Sequence, residues 1–192
     1  MTRPQIGMIL STTRQGRFAD RPAEWLLQLC QPRTDLAVDI VDLRDYQMPF
    51  FDEPRSPMWE PPANDEARRW AETLARFDGF IFLTAEYNHG IPAVLKNALD
   101  YAYTPFKRKP ASFVGYGNVG AARAIEQLRL NLIEYHVVPL RNAVHIGALE
   151  FMGVLRDGKG FGDFPHLERA AVAMLDDLVW WATTLKAARE AP

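Results

Sequence analysis

Three short polar stretches carry the residue types that could bind and orient a ligand. The first is Ser11-Thr12-Thr13-Arg14-Gln15-Gly16-Arg17, with three hydroxyls, two guanidinium groups and a glycine between an apolar run and a helical pattern. Backbone N–H groups at a helix start, hydroxyl donors and bidentate arginines are the parts of a phosphate site. The plain alternative is a polar loop that caps the helix. The stretch holds neither G-x-x-x-x-G-K-[ST] nor G-x-G-x-x-G, so it matches neither a P-loop nor a dinucleotide fingerprint. The second stretch, Thr84-Ala85-Glu86-Tyr87-Asn88-His89-Gly90-Ile91-Pro92, sets an aromatic ring, an amide and a carboxylate directly after an apolar run. A flat heteroaromatic ligand needs an apolar face and, along its polar edge, donors and acceptors. The alternative is a turn in which Asn88, His89 and Gly90 serve geometry alone. The third stretch, Gly115-Tyr116-Gly117-Asn118-Val119-Gly120, has glycines that let backbone approach a ligand closely and leads into another helix; the alternative is a plain turn.

Apolar runs and helical patterns alternate around these stretches. Ile6–Leu10, Leu36–Leu43, Phe80–Leu83, Ser112–Tyr116 and Val137–Ile146 read as strands. The run at Phe80 is apolar throughout and suits a central parallel strand, whereas Pro139 places the last strand at an edge. Helical spacing marks residues 18–31 and a helix capped by Asn64 with Ala67, Trp70, Ala71, Leu74 and Phe77 on one face. It continues after Pro92 (Leu95, Ala98, Leu99, Ala102), from Ala121 to Tyr135, and from Leu167 to Leu185. Strand and helix therefore repeat five times, which predicts an α/β, three-layer sandwich with a five-stranded parallel sheet. The chain length favours the flavodoxin-like order 2-1-3-4-5, with ligands at the carboxyl ends of the strands. All three polar stretches follow strands, so they meet at that end. The five prolines between Pro49 and Pro62 make that segment a long loop, too short to separate domains. Residues 1–192 read as a single domain.

The composition excludes several classes. The 22 basic and 24 acidic residues give a net charge of −2, which argues against a nucleic-acid binder. The one cysteine, Cys30, excludes an internal disulfide and a zinc ribbon. No apolar run is long enough for a membrane span, and the N-terminus does not read as a signal peptide, so a soluble cytoplasmic protein is expected. Between Lys107 and Arg141, six basic residues face two acidic ones. That stretch is either a set of solvated helix ends or a landing surface for an anion.

On these motifs the chain resembles the NAD(P)H-dependent FMN reductase family, the flavodoxin-like quinone, azo-dye and chromate reductases. Residues 85–100, Ala-Glu-Tyr-Asn-His-Gly-Ile-Pro-Ala-Val-Leu-Lys-Asn-Ala-Leu-Asp, are similar to the family pattern P-E-Y-N-x-x-x-P-x-x-L-K-N-x-x-D. Residues 115–124 resemble S-x-G-x-x-G-G-x-R-A, and residues 11–17 resemble the G-S-x-R-x-G-R phosphate loop. The resemblance covers residues 5–150 and implies a bound FMN with NADPH or NADH as electron donor. It implies phosphate contacts from the loop holding Ser11, Thr12, Arg14 and Arg17. It further implies flavin-ring contacts from Glu86, Tyr87, Asn88, Tyr116, Gly117 and Asn118. Lys96, Asn97 and Asp100 would stand behind the site. The implied activity is hydride uptake from NAD(P)H and ping-pong reduction of a small-molecule electron acceptor such as a quinone, free flavin, azo compound or chromate. Hydride transfer to a flavin needs no general base, so neither a catalytic side chain nor a metal is expected. A homodimer or homotetramer is implied, with no nucleic acid and no membrane as partner. The alternative is a flavodoxin-like electron carrier or a redox-sensing binding protein. Three positions depart from the family pattern: Ser11 replaces Gly, Ala85 replaces Pro, and Gly115 replaces Ser.

Two further expectations concern specificity. The Lys107-Arg108-Lys109 run is a candidate for the extra phosphate of NADPH. The loops 49–62 and 151–164, with Phe50, Phe51, Trp59, Phe151 and Phe161, are candidate pocket walls.

Overall fold

The computed structural model describes residues 3–191. Five strands form one parallel sheet: β1 Gln5–Leu10, β2 Ala37–Asp42, β3 Gly79–Ala85, β4 Pro110–Tyr116 and β5 Val138–Ile146. Their spatial order is β2-β1-β3-β4-β5, as the alternation predicts. Six helices connect or flank them: α1 Asp20–Cys30, α2 Asp65–Ala75, α3 Ala93–Asp100, α4 Ala122–Glu134, α5 Ala148–Arg156 and α6 Pro165–Glu190.

The period-two alternation of the strands divides the core between two faces. Met8, Leu10, Ile81, Leu83 and Val114 pack with Leu26 of α1 and Met174 and Leu178 of α6. Ile9, Phe80, Phe82 and Phe113 point the other way, against Trp70 of α2, Leu95 and Leu99 of α3 and Leu128 of α4. Sequence neighbours thus serve opposite layers, and β3 is buried along its whole length. Pro139 lies on the edge strand β5, where the register with β4 shifts between Ala111 and Phe113. Asn64 caps α2 by accepting the Ala67 N–H at 3.0 Å. Among the described residues no helix is long and apolar enough to cross a membrane.

The segment 151–164 is not a loop. It holds most of α5, followed by a 3-10 turn at Phe161–Asp163. Glycines at 147, 153, 158 and 160 and the exposed Leu149 hide the helical spacing in the sequence. The 49–62 segment is a loop, but Asn97 holds it against α3, accepting the Phe51 N–H at 2.9 Å and donating to Pro49 O at 2.7 Å.

Candidate functional site

The loops that follow β1, β3 and β4 converge at the carboxyl edge of the sheet on a cleft of about 380 Å³. Arg14, Arg17, Glu86, Tyr87, Tyr116 and Gly117 line it, as do Gln15, Gly16, Phe18 and Ala85. Phe151 and Leu155 of α5 close one side. Six of the ten residues assigned from sequence therefore share this cleft. The other four do not line it: Ser11 and Thr12 are buried, with Thr12 bonded to the lining residue Tyr87, and Asn88 and Asn118 sit on exposed turns.

The first loop is built around Arg17, whose side chain is only 2% exposed. Its Nε and Nη2 donate to Asp20 Oδ1 at 2.9 and 2.6 Å. Its Nη1 donates to Thr12 O and Asp42 Oδ1, both at 2.7 Å, and Nη2 also donates to Asp42 Oδ2 at 2.5 Å. A guanidinium has five N–H donors, and all five are engaged. Burial disfavours its charge, but the bonds to Asp42 and Asp20 outweigh that and hold its pKa above the ordinary arginine value. Asp42 answers in kind. Burial alone would raise its pKa, yet the bonds from Arg17 and the Arg44 N–H hold it below the usual carboxylate range. Arg17 thus ties the loop to the end of β2.

Ser11 is also internally engaged. Its hydroxyl donates to Leu83 O at 2.9 Å, and its N–H donates to the same oxygen at 3.1 Å. Its φ is not among the positive values, so the turn forms without a glycine there. Thr12 Oγ1 shares a 2.8 Å bond with the Tyr87 hydroxyl and lies 3.4 Å from the Arg14 N–H. One proton serves the Thr12–Tyr87 bond, which leaves the pair one O–H to offer a ligand. Arg14 is exposed at the rim. Among the described residues its guanidinium has no partner, and the N–H groups of Thr13, Gln15 and Gly16 have no intramolecular acceptor. This is a cradle of free donors beside a free cation, the chemistry that a phosphate group requires.

The second loop is a two-residue turn. Tyr87 and Gly90 exchange backbone bonds of 3.0 Å in both directions. Asn88 and His89 between them have φ of 50° and 70°. Both central residues of such a primed turn need positive φ, which Asn and His tolerate better than most residues. Glu86 is turned away from solvent to the start of α4. It accepts the Arg123 N–H at 3.2 Å and Arg123 Nε at 2.7 Å, together with a bond from Arg123 Nη2 and a 3.5 Å contact from the Ala124 N–H. The helix needs this cap from outside, because its own N-cap residue, Ala121, is left-handed and offers no side-chain bond. Burial would raise the Glu86 pKa, but these bonds keep it below the ordinary glutamate value.

The third loop depends on its glycines. A Cβ on Gly115 would stand 2.7 Å from both Gly120 O and Ala121 Cβ. The side-chain direction at Gly115 therefore faces α4, and its hydrogen opens no gap in the cleft. Gly120 has φ of 62° and lies against His145, whose Nδ1 is 2.9 Å from Gly120 O. Tyr116 lies parallel to Phe151, with ring centroids 6.2 Å apart, and Phe18 tilts against both at 5.2 and 4.6 Å. The buried Tyr116 hydroxyl has no hydrogen-bond partner among the described residues. An unpaired buried hydroxyl is costly, and a polar ligand edge would satisfy it. Apolar rings, an unsatisfied hydroxyl, a free cation and open N–H groups together fit FMN.

Phe18 and Leu155 escaped the sequence reading. Phe18 sits one residue beyond the motif, and Leu155 lies on the hidden helix. Of the five aromatics proposed as walls, only Phe151 lines the cleft. Phe51 packs on Tyr101, Phe161 stacks on Trp25, and Phe50 and Trp59 are 83% and 78% exposed. The Lys107–Lys109 run precedes β4, so it lies at the amino edge of the sheet, opposite the cleft. In this chain it does not meet a nucleotide bound at the carboxyl edge. The remaining positive charge of residues 107–141 is likewise dispersed, with Arg123 on Glu86 and Arg129 beside Glu126 and over the Phe113 ring.

The likeness to known proteins covers this same region. The profile of the NADPH-dependent FMN reductases matches residues 4–150. An NAD(P)H-dependent FMN reductase of Schizosaccharomyces pombe is 31% identical over 182 residues, spanning 85% of this chain and 90% of its own. A 2-hydroxy-1,4-benzoquinone reductase of a Burkholderia species is 30% identical over 65% of this chain and 68% of its own. Among solved structures, the NAD(P)H:acceptor oxidoreductase of Paracoccus denitrificans superposes with a TM-score of 0.71 at 21% identity, covering 94% of this chain and 98% of that one. That match concerns the fold. With the profile spanning all three loops of the cleft, the chain belongs to the NADPH-dependent FMN reductase family.

Proposed function

We propose that the protein holds FMN in the carboxyl-edge cleft and uses NAD(P)H to reduce a small electrophilic acceptor of the quinone type. The observation that supports this most is the meeting of three loops around one cleft whose unfilled donors and aromatic faces suit a flavin nucleotide. Bound FMN supplies the hydride acceptor and electron relay that protein side chains lack. The benzoquinone reductase and FMN reductase relatives support the same acceptor class and donor.

The chain's own part is binding and orientation. Arg14, the free N–H groups of Thr13, Gln15 and Gly16, and the spare O–H of the Thr12–Tyr87 pair would hold the phosphate. Arg17 and Ser11 would act by fixing the loop that presents those donors. Tyr87, Tyr116 and Gly117 would meet the ring system, with Glu86 fixing the turn beside them and Asn88 and Asn118 contributing from its edges. Phe151 and Leu155 would exclude water from one side and set the width left for donor and acceptor. One cleft serves both in turn, which implies a ping-pong order, and quinone, free flavin, azo compound and chromate are the acceptors to compare. The family resemblance implies an even-numbered assembly, a homodimer or homotetramer, and the exposed Phe50, Leu130 and Ile133 are apolar side chains that an interface would cover.

A visible absorption spectrum before and after anaerobic NADPH tests the reading. Flavin bands that bleach support it. Bands that persist point to a carrier or sensor reduced by another protein, and a protein that takes up no added FMN refutes it. Light scattering after size exclusion tests the assembly.

A further inference from the structure

A larger groove, about 580 Å³, lies at the opposite edge of the sheet. The 49–62 loop, the second half of α2 and the segment after α3 form its walls, and Lys107, Lys109 and Arg189 line it. A parallel strand of seven residues separates this edge from the flavin cleft by roughly 20 Å. Its apolar walls include the rings of Trp59, Tyr101 and Pro61. Trp59 stands largely in solvent, at a place where no core packing explains it.

The polar groups of the groove are unusual. Lys109 is 7% exposed and donates to Leu74 O and Ala75 O at 3.2 and 3.3 Å. An ammonium has three N–H donors, so one remains. Among the described residues Lys109 forms no ion pair, and Asp78, whose charge it feels, is taken by other donors. Asp78 already accepts from Lys186 at 2.8 Å, Arg189 at 2.9 Å and the Gln5 N–H at 3.0 Å. Three cations thus gather round a single carboxylate. Burial pushes the Lys109 pKa down to about 8, with Arg189 adding to the effect and Asp78 opposing it. A second signal is independent of charge. Tyr103 is 4% exposed, lines the same groove, and its hydroxyl has no partner among the described residues. Lys107 Nζ lies 4.9 Å over its ring.

We propose that this groove is a binding site for an aromatic carboxylate, with the carboxylate at Lys109 and the Tyr103 hydroxyl and the flat body against Trp59 and the prolines. Lys109 keeps one unused N–H and the Tyr103 hydroxyl is unpaired, donors of the kind a carboxylate accepts from, and the three cations Lys107, Lys109 and Arg189 outnumber the two carboxylates, Glu60 and Glu72, on the groove's lining, which favours an anion. The exposed carboxylates Glu60 and Glu72 on the outer wall disfavour a ligand that carries charge at both ends.

The test uses FMN-loaded protein with 2-naphthoate as probe and 2-naphthalenemethanol as its neutral counterpart, measured by calorimetry. The expected result is saturable binding of one naphthoate per chain, with the alcohol about tenfold or more weaker. Lys109→Met and Trp59→Ala should each weaken naphthoate about tenfold. Trp59 is exposed, so its variant remains informative should Lys109→Met fail to fold. Flavin content and the NADPH-bleached spectrum should not change when naphthoate saturates. Equal binding of acid and alcohol would overturn the proposal. So would the absence of binding at millimolar probe, or loss of naphthoate binding in Arg14→Ala with Trp59→Ala unaffected. None of these outcomes bears on whether the other cleft holds FMN.

Discussion

Changing Arg14 to alanine and Arg17 to lysine, in separate variants, divides the first loop into a part that meets the ligand and a part that holds the loop in place. Arg17 has five engaged N–H groups, shared among Thr12 O, Asp20 and Asp42. Lysine keeps the charge but carries three donors on one nitrogen, without the planar fork that grips Asp42 at two points. At least two bonds are lost. Asp20 is 55% exposed, and water replaces its share at little cost. The loss at Thr12 O and Asp42 is partly buried, where bonds to a charged group contribute about 1.5–3 kcal/mol each. Arg17→Lys should therefore destabilise the flavin-free protein by about 2–4 kcal/mol, a fall in Tm of roughly 4–16 °C for a domain of this size. Arg14 has no side-chain partner to lose, and its replacement should leave the flavin-free stability within about 0.5 kcal/mol. It should instead remove one charge-assisted contact to the phosphate and weaken FMN about 10- to 150-fold. Thermal melts of the flavin-free proteins and FMN titrations followed by flavin fluorescence read both quantities. Should Arg17→Lys melt like the wild type and lose FMN affinity as Arg14→Ala does, Arg17 would be a phosphate ligand and the donor count misleading. Stoichiometric FMN retained in Arg14→Ala would remove the phosphate from this loop altogether.

Other perturbations probe the second and third loops. Glu86→Gln should cost about 1–3 kcal/mol in urea unfolding, since it weakens both the cap of α4 and the Arg123 pair; a double-mutant cycle with Arg123→Ala showing no coupling would contradict this. Glu86 and Asp42 both have depressed folded pKa values. Their contribution is therefore present above the unfolded carboxylate pKa of about 4 and lost as pH falls through the lower folded values. The urea midpoint should drop between pH 5 and pH 3, and the drop should be smaller in Glu86→Gln. Tyr116→Phe removes a hydroxyl without a partner, so the flavin-free protein should be as stable as the wild type or slightly more so. A several-fold loss of FMN affinity in the same variant would locate that hydroxyl on the ligand, and a destabilised flavin-free protein would reveal a partner. Gly115→Ser, which restores the usual family residue, should destabilise by more than about 2 kcal/mol, because its Cβ meets backbone at Gly120; improved FMN binding at unchanged Tm would refute that geometry.

The architecture was legible because each strand announces both of its faces. Phe80-Ile81-Phe82-Leu83 cannot be half exposed, and the position of each polar stretch after a strand fixes the edge of the sheet on which it appears. What one sequence does not reveal is who competes for a side chain's donors. Arg17 looks like a phosphate ligand until Asp42, 25 residues away, takes both arms of its fork. Glu86 looks like a ring contact until Arg123, 37 residues on, requires its carboxylate. Lys107–Lys109 looks like a phosphate landing site only while the direction of β4 is ignored. A basic run before a parallel strand and one after it have the same composition and lie at opposite edges.

These partnerships change what the family motif means physically. Ser11, Arg17 and Glu86 each direct their side chains to another element: the end of β3, the end of β2 and the start of α4. They hold three loop backbones in register, and the free N–H groups and glycines of those loops are left to face the ligand. Side chains at such positions can change if the replacement keeps the anchoring bond or needs none. That accounts for Ser11 in place of glycine, since its hydroxyl adds a bond to Leu83 and its φ is unstrained. It also accounts for Gly115 in place of serine, because Gly120 O and Ala121 at the start of α4 leave no room there for a Cβ. Neither departure removes a donor from the cleft. The side chains that do face it freely, Arg14 and Tyr116, are the ones where substitution should register in flavin affinity rather than in stability.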